Sequence, residues 1–252
     1  MNLFFDFHLT LSNSMKKNVL ITGASSGIGK ELAHGFHDAG FNIIPCARRY
    51  ENLVNEFKNT DNCHPLKLDV TDYVNVKCEI ENIINDLGRI DILINNASIL
   101  SYGKVVEYSV RDWIKIFDSN VTAVFNLCHE VLPYMIKNNF GRIINISSGG
   151  SVNCAPSYSA YSSTKAAINA FTKSVAKEVS DYDIKVNCMS PGPCRTPMFP
   201  ENSLDPAVSL PTALKLASND PSVGTGKFYW MEKEVQVIPD LSHVDWTNPD
   251  SL

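Results

Sequence analysis

Tyr161 and Lys165 lie four residues apart at the end of the run SGGSVNCAPSYSAYSSTK, residues 148–165. The residues that follow, 166–179, alternate apolar and polar at helical spacing. At about 100° per residue, a separation of four puts two side chains on one face of a helix, one turn apart. A phenol beside an ammonium has a specific chemical use. The positive charge favours the phenolate and draws the tyrosine pKa down from its ordinary value of roughly 10. A tyrosine tuned in this way can give a proton to a carbonyl or take one from an alcohol. The same spacing also arises where a surface tyrosine sits near a solvated lysine, so its weight depends on what else the chain carries.

The elements that would position this pair read as an alternation of strands and helices. The β-branched run Asn18 to Thr22 stops at Gly23 and predicts a buried strand. A helix over Lys30 to Ala39 ends at Gly40, and a second strand follows over Phe41 to Cys46, with Pro45 an objection to its centre. Further strands are predicted over His64 to Leu68, Ile90 to Ile94, Arg142 to Ile146 and Ile184 to Met189, with a last one over Lys227 to Trp230. Helices are predicted over Glu51 to Lys58, Val74 to Leu87 with Gly88 ending it, Val110 to Asn138 with a break at Ser119-Asn120, the Tyr161 segment, and Thr212 to Ala217. Short strands that are apolar on both faces and alternate with helices imply an α/β fold. The expectation is a single-domain, doubly wound parallel sheet of Rossmann-like form, with helices on both faces.

Bulk properties exclude several classes. With 252 residues and 44% hydrophobic content the chain suits one large domain with a sizeable core, or at most two small ones. The net charge of −5 disfavours a nucleic-acid binder, which would show a basic stripe. No apolar run reaches the ~18 residues of a membrane span, so no membrane partner is expected. The seven cysteines are odd in number, scattered and without a C-x-x-C, which fits reduced thiols in the cytoplasm. His34 and His37 are spaced i, i+3, but no thiol or carboxylate motif joins them, and no metal site is expected. Residues 1–14 read as an extension that is a poor signal peptide, and Met15 is an alternative start.

Between the first strand and first helix stands TGASSGIG, residues 22–29. Glycines at 23, 27 and 29 let the backbone turn tightly and approach a ligand, and the helix start then offers N–H groups to a pyrophosphate. The spacing is not the common G-x-G-x-x-G, though the physical role is the same. The segment from Gly23 to Gly27 also fits G-x-S-x-G, which would make Ser25 a hydrolase nucleophile. Against this, almost nothing precedes it to form an oxyanion loop, the only late histidine is His243, and Tyr161 and Lys165 are left without a role.

Taken together, TGASSGIG, Asp69-Val70, NNAS at 95–98, Asn120, Ser148, Tyr161 with Lys165, and Pro191-Gly192 followed by Thr196 resemble the short-chain dehydrogenase/reductase family, in its shorter single-domain subtype. The resemblance implies an oxidoreductase that moves a hydride between a nicotinamide cofactor and a carbonyl or secondary alcohol. It implies Tyr161 as general acid/base and Lys165 as the residue that lowers the tyrosine pKa and binds the nicotinamide ribose. Ser148 would hold the substrate oxygen. Asn120 would kink its helix and help a water chain reach the lysine. For the cofactor it implies Gly23, Ser26, Gly27, Ile28 and Gly29 at the pyrophosphate, Asp69 and Val70 at the adenine, Asn96 and Ala97 along the adenosine, and Pro191, Gly192 and Thr196 over the nicotinamide. Ser98 stands where the family usually has glycine.

An NAD enzyme of this kind would place an acid near the end of the second strand to bind the ribose 2′-hydroxyl. Here Ala47 and then Arg48 follow, and a guanidinium suits a 2′-phosphate. NADP(H) is therefore expected over NAD(H). The substrate is expected to be a small carbonyl or alcohol in a modestly apolar pocket with Met198 and Phe199 on one side and Cys154, Ala155 and Tyr158 on the other. The expected organisation is an extension at 1–14, a catalytic domain at 15–238 with a substrate loop at 197–218, and an irregular tail at 239–252. The C-terminal region departs from the common family ending, which bears on whether the chain forms a homodimer or a homotetramer through helices at 120–138 and 159–179. The alternative is a catalytically silent NADP-binding regulatory protein on the same fold.

Overall fold

The structure, a computed structural model, describes residues 16–239 and Thr247. The extension at 1–14 and nearly all of the predicted tail lie outside the described residues. Eight strands form one sheet: β1 (Asn18–Thr22), β2 (Asn42–Ala47), β3 (Leu66–Lys67), β4 (Ile92–Asn95), β5 (Gly141–Ile146), β6 (Ile184–Ser190), β7 (Phe228–Trp230) and β8 (Lys233–Val235). Their order is β3-β2-β1-β4-β5-β6-β7-β8. Every pairing is parallel except the last, where β8 returns antiparallel to β7. The helices are α1 (Gly27–Asp38), α2 (Tyr50–Glu56), α3 (Tyr73–Leu87), α4 (Val110–Phe117), α5 (Ala123–Lys137), α6 (Gly150–Asn153), α7 (Ser159–Glu178) and α8 (Leu210–Ala217). The chain therefore has the α/β architecture its sequence implies, with one antiparallel edge added.

The strand sequences dictate two cores. Successive side chains on a strand point to opposite faces. In β1, Leu20 packs with Leu93, Ile143 and Val186 under α3, α5 and α7, while Val19 and Ile21 pack with Ile92, Ile94 and Ile144 under α1 and α8. Both faces are thus apolar, which is why the strands read as continuous rather than alternating runs. Pro45 is tolerated inside β2 because the N–H it lacks would face β3. Ile43, two residues earlier, donates to Asn62 O on that side, and β3 itself pairs only with Cys46 and Ala47. The same shortage of partners cuts β3 from the five residues expected to two. Gly88 closes α3 with φ +81°, the left-handed cap predicted for it.

Two elements were not anticipated. The short helix α6 carries no apolar periodicity. Strand β8 is exposed at every position and forms only by closing a two-residue turn, Met231-Glu232, onto β7.

Candidate active site

A cleft of about 760 Å³ opens at the carboxyl ends of the parallel strands, where the connections from β1 and β4 diverge to opposite sides of the sheet. Open α/β sheets bind ligands at this switch point. Of the residues singled out from the sequence, Gly23, Ser26, Gly27, Ile28, Arg48, Asp69, Val70, Asn96, Ala97, Ser148, Tyr161, Lys165, Pro191, Gly192 and Thr196 all line it. Gly29 and Asn120 do not.

At one end the chain offers mainly backbone. The turn before α1 holds Gly27 at φ +56°, in the left-handed region. Ser26 is the N-cap but makes no side-chain cap, and its carbonyl accepts the first helical bond, from Lys30 N at 3.4 Å. The first N–H groups of α1 are therefore left for another acceptor. Gly29 lies behind this turn, where a Cβ would stand 2.4 Å from Asn96 Nδ2. That amide donates to Thr22 O at 2.8 Å, while Thr22 Oγ1 accepts from the N–H groups of Asn96 and Ala97, each at 2.9 Å. The NNAS segment is thus laced to the glycine turn, and Thr22 is a supporting residue that the sequence did not single out. Its place as the last residue of β1 was the available signal.

Arg48 and Arg49 both line this end. Arg48 is exposed, and its Nη1 lies 4.0 Å from Asp69 Oδ2. Arg49 Nη2 donates to Ser25 Oγ at 3.1 Å and Ser26 Oγ at 2.9 Å. The sequence had given Arg49 no part. Ser25, the alternative nucleophile, accordingly has a guanidinium for its partner, and among the described residues no histidine lines the cleft.

At the junction of the two ends, α7 presents Tyr161 from its first turn and Lys165 from its second, as their spacing predicts. Both are buried. The Tyr161 hydroxyl is hydrogen-bonded to Ser148, whose Oγ also accepts from Gly150 N at 3.0 Å. Burial holds the Tyr161 phenol above its ordinary value; the Ser148 bond pulls it partly back and Tyr158 adds to the rise. This corrects the expectation that Lys165 lowers it. The lysine is itself buried, which brings its pKa down to about 8, and it donates to Ile146 O at 2.9 Å. Its ammonium stands 5.6 Å from the centre of the tyrosine ring.

Asn120 sits in a π-helical turn, Asp118–Thr122, that joins α4 to α5 at the predicted break. Its amide oxygen accepts from Ile99 N at 2.8 Å, and its nitrogen donates to Ile99 O at 3.0 Å and Thr164 Oγ1 at 3.1 Å. It is fully buried, one layer behind the cleft. A second buried chain runs from Asn95 Nδ2 to Asn145 Oδ1 at 2.8 Å and from Asn145 Nδ2 to Thr172 Oγ1 at 2.9 Å. Separately, Ser147 Oγ donates to Asn169 Oδ1 at 2.6 Å. These bonds tie β4, β5 and α7 together below Ser148.

The far end differs from the expected pocket. Met198 and Phe199 line it, and Phe199 meets the Tyr161 ring edge-on with centroids 6.3 Å apart. Cys154, Ala155 and Tyr158 do not. Cys154 adopts φ +47° after α6 and turns the chain outward, so Cys154 and Ala155 line a separate cavity, while Tyr158 stacks on Tyr102 at 6.1 Å. Asn153 and Trp230 supply the wall instead. His34 bonds Glu56 and His37 bonds Asp38, and among the described residues no group of three side chains is arranged to hold a metal.

A sequence model described as short chain dehydrogenase matches residues 17–207. The 3-oxoacyl-[acyl-carrier-protein] reductase FabG of Thermotoga maritima is 36% identical over 200 residues, spanning 77% of this chain and 81% of its own. Oxidoreductase UcpA of Salmonella typhimurium is 39% identical over 186 residues, 72% of this chain and 71% of its own. Among solved structures, ElxO with NADP bound superposes with a TM-score of 0.80 at 30% identity, covering 86% of this chain and 97% of ElxO. An actinorhodin polyketide ketoreductase variant with NADPH gives 0.81 at 25% identity, covering 85% of this chain and 95% of its own. With the cleft, the fold and these relatives in agreement, the chain belongs to the short-chain dehydrogenase family of oxidoreductases.

Proposed function

We propose that this protein is an NADP(H)-dependent reductase or dehydrogenase that interconverts a carbonyl and a secondary alcohol, with Tyr161 as general acid/base. The observation that carries this reading is the placement of Tyr161, bonded to Ser148 and one turn from Lys165, in the same cleft as the glycine turn and the two arginines. The residues fit a dinucleotide. Unpaired N–H groups at the start of α1 suit a pyrophosphate, and Arg48 and Arg49 suit a 2′-phosphate. Relatives in the family carry NADP or NADPH by their own descriptions, which supports the same choice here.

When bound, the cofactor supplies or accepts the hydride. The rest of the chemistry is the protein's own. Reduction leaves negative charge on the substrate oxygen. The Ser148 hydroxyl donates to that oxygen, and the Tyr161 phenol gives it a proton as the charge forms. Burial keeps Tyr161 protonated at neutral pH, which suits the reductive direction. Lys165, held on Ile146 O, keeps a cation beside the phenol that must later be reprotonated. Asn120 acts as a positioning residue that fixes Ile99 and, through Thr164, the α7 turn carrying Lys165.

We assign the catalytic domain to residues 15–238, with 197–218 closing the substrate end. Exposed apolar side chains, Val110, Trp113 and Ile114 on α4 and Phe125 on α5, support a homodimer or homotetramer. The cysteines are all free thiols, and among the described residues no helix is long and apolar enough to cross a membrane, which supports a cytoplasmic enzyme.

The test is NADPH oxidation followed by absorbance across a panel of ketones, aldehydes and quinones. Tyr161→Phe is expected to lower kcat about 10²–10⁴-fold, the range general acid catalysis supplies, with NADPH affinity nearly unchanged. Turnover undiminished in that variant, or wild-type protein that binds NADPH yet reduces nothing, would remove the assignment.

A further inference from the structure

The substrate end of the cleft is built around an indole whose position has three separable physical causes. Trp230 is the last residue of β7 and pairs in register with Ser190 of β6, so it emerges at the carboxyl edge of the sheet. Its ring spans two glycines. A Cβ on Gly149 would lie 3.3 Å from the outer edge of the six-membered ring, and one on Gly192 would lie 3.8 Å from Nε1. Both loops flanking the reacting groups, the one after Ser148 and the one after Pro191, thus lack side chains where the indole lies.

The turn that carries Trp230 is strained. Met231 and Glu232 close a two-residue hairpin with φ +48° and +66°, and neither is Gly, Asn or Asp. The strain is held by α8. Glu232 N donates to Thr212 Oγ1 at 2.9 Å, Glu232 O accepts from Lys215 Nζ at 3.3 Å, and the Lys215 ammonium lies 5.9 Å from the centre of the Tyr229 ring. Strain kept at a cleft by outside contacts is a mark of a site whose geometry matters.

The chemistry of this end is uniform. Phe199, which meets the Tyr161 ring, and Met198 line this cleft with Trp230, as do the carboxamides of Asn153 and Asn202. Among the described residues Lys165 is the only charged side chain here, and it belongs to the reacting group. The Trp230 N–H donates to no group among them. A carboxylate or phosphate on the substrate would find no cation of its own and would lose its hydration.

Resting on the function proposed above, we infer that Trp230 is a specificity-determining residue, and that the substrate class is an uncharged carbonyl compound bearing a flat apolar group, seated between the indole and Phe199. Three probes separate the elements of this claim. Acetophenone has the flat group, 2-octanone lacks it, and 4-acetylbenzoate adds a carboxylate. Each is titrated calorimetrically into wild type, Trp230→Ala, Trp230→Leu and Trp230→Phe loaded with NADP⁺, which cannot reduce a ketone, and each is assayed separately for NADPH oxidation. Loss of the aromatic contact in the Ala and Leu variants is expected to raise the acetophenone Kd about 10-fold, with about 2- to 3-fold in the Phe variant. The 2-octanone Kd should move less than about 3-fold in Trp230→Leu, which keeps apolar bulk. Wild type should bind 4-acetylbenzoate at least about 10-fold more weakly than acetophenone. Equal losses on acetophenone and 2-octanone in Trp230→Leu, no loss on either, or a carboxylate bound as well as its parent would each overturn the inference. The expected binding pattern without wild-type NADPH oxidation would instead sink the proposed activity and leave the wall intact. Turnover without that pattern would do the reverse.

Discussion

The two ends of the cleft solve the problem of recognition with different materials. The end proposed for the cofactor is mostly main chain, with Arg48 and Arg49 at its rim: a glycine turn, the start of α1 and the NNAS segment, bonded to one another through Thr22 and Asn96. The substrate end is made of side chains on late segments, Phe199 on a tight turn after β6 and Trp230 on a strained hairpin held by α8. The first is local and rigid, because its partners lie within one βα unit and the adjacent strand. The second depends on elements more than 30 residues apart, Thr196 to Phe199 and Trp230, meeting over Tyr161. Backbone suits a ligand that is constant across a family, and replaceable side chains suit one that varies.

Three perturbations would break or sharpen this contrast. The largest is at the cofactor end. Arg48→Asp is expected to raise the NADPH KM about 10- to 100-fold through the loss of a charge-assisted contact and the added repulsion, while improving the NADH KM. An unchanged preference in a steady-state comparison of both cofactors would move the selectivity to Arg49, already poised on Ser25 and Ser26.

The second concerns the junction. The folded state lowers the Lys165 pKa from 10.5 to about 8 by burial. The unfolded chain therefore holds more protons between these values, and stability rises with pH across that window. Below about pH 8 the cost is fully present. Lys165→Met should then melt higher than wild type at pH 7, by about 1–2 kcal/mol once the lost bond to Ile146 O is counted, and the advantage should fade toward pH 10.5. The same variant is expected to lose most activity, since stability and a strained site oppose each other. A variant that melts lower at pH 7 would show that the lysine is well accommodated. The smallest effect is at the substrate end. Glu232→Gly relieves a left-handed residue and should stabilise the fold by about 0.5–1 kcal/mol, while raising the acetophenone KM about 2- to 3-fold as Trp230 loosens. A fall in Tm would mean that the turn stores no strain.

Much of the molecule was legible in one dimension. The apolar runs of β1, β4, β5 and β6 gave the strands within about two residues, because strands buried on both faces are built mainly of apolar residues, their few polar ones being paired or at strand ends. The break at Ser119-Asn120 was visible, and it is a π turn. Gly88 announced the end of α3 by its φ requirement. The residues singled out at the glycine turn and at Tyr161 do line one cleft, since each sits at a strand end or at a fixed helical spacing.

What escaped has a common physical origin. β8 has no buried residue to give it a pattern, and it exists because β7 offers an edge. Cys154 was expected at the pocket and lies outside it, because a left-handed turn that no local composition announces swings the chain away. The Tyr161 pKa moves up rather than down, because burial outweighs the pull of the Ser148 hydrogen bond, while the Lys165 ammonium is turned onto the Ile146 carbonyl. The order of residues determined the sheet, its two cores and the chemistry that the cleft can perform, since these follow from side-chain period and from groups adjacent in the chain. Which side chains wall the far end of the cleft was decided only in three dimensions, because Trp230 and Phe199 come from segments whose meeting over Gly149 and Tyr161 depends on the packing of α8 and the closing of the last hairpin.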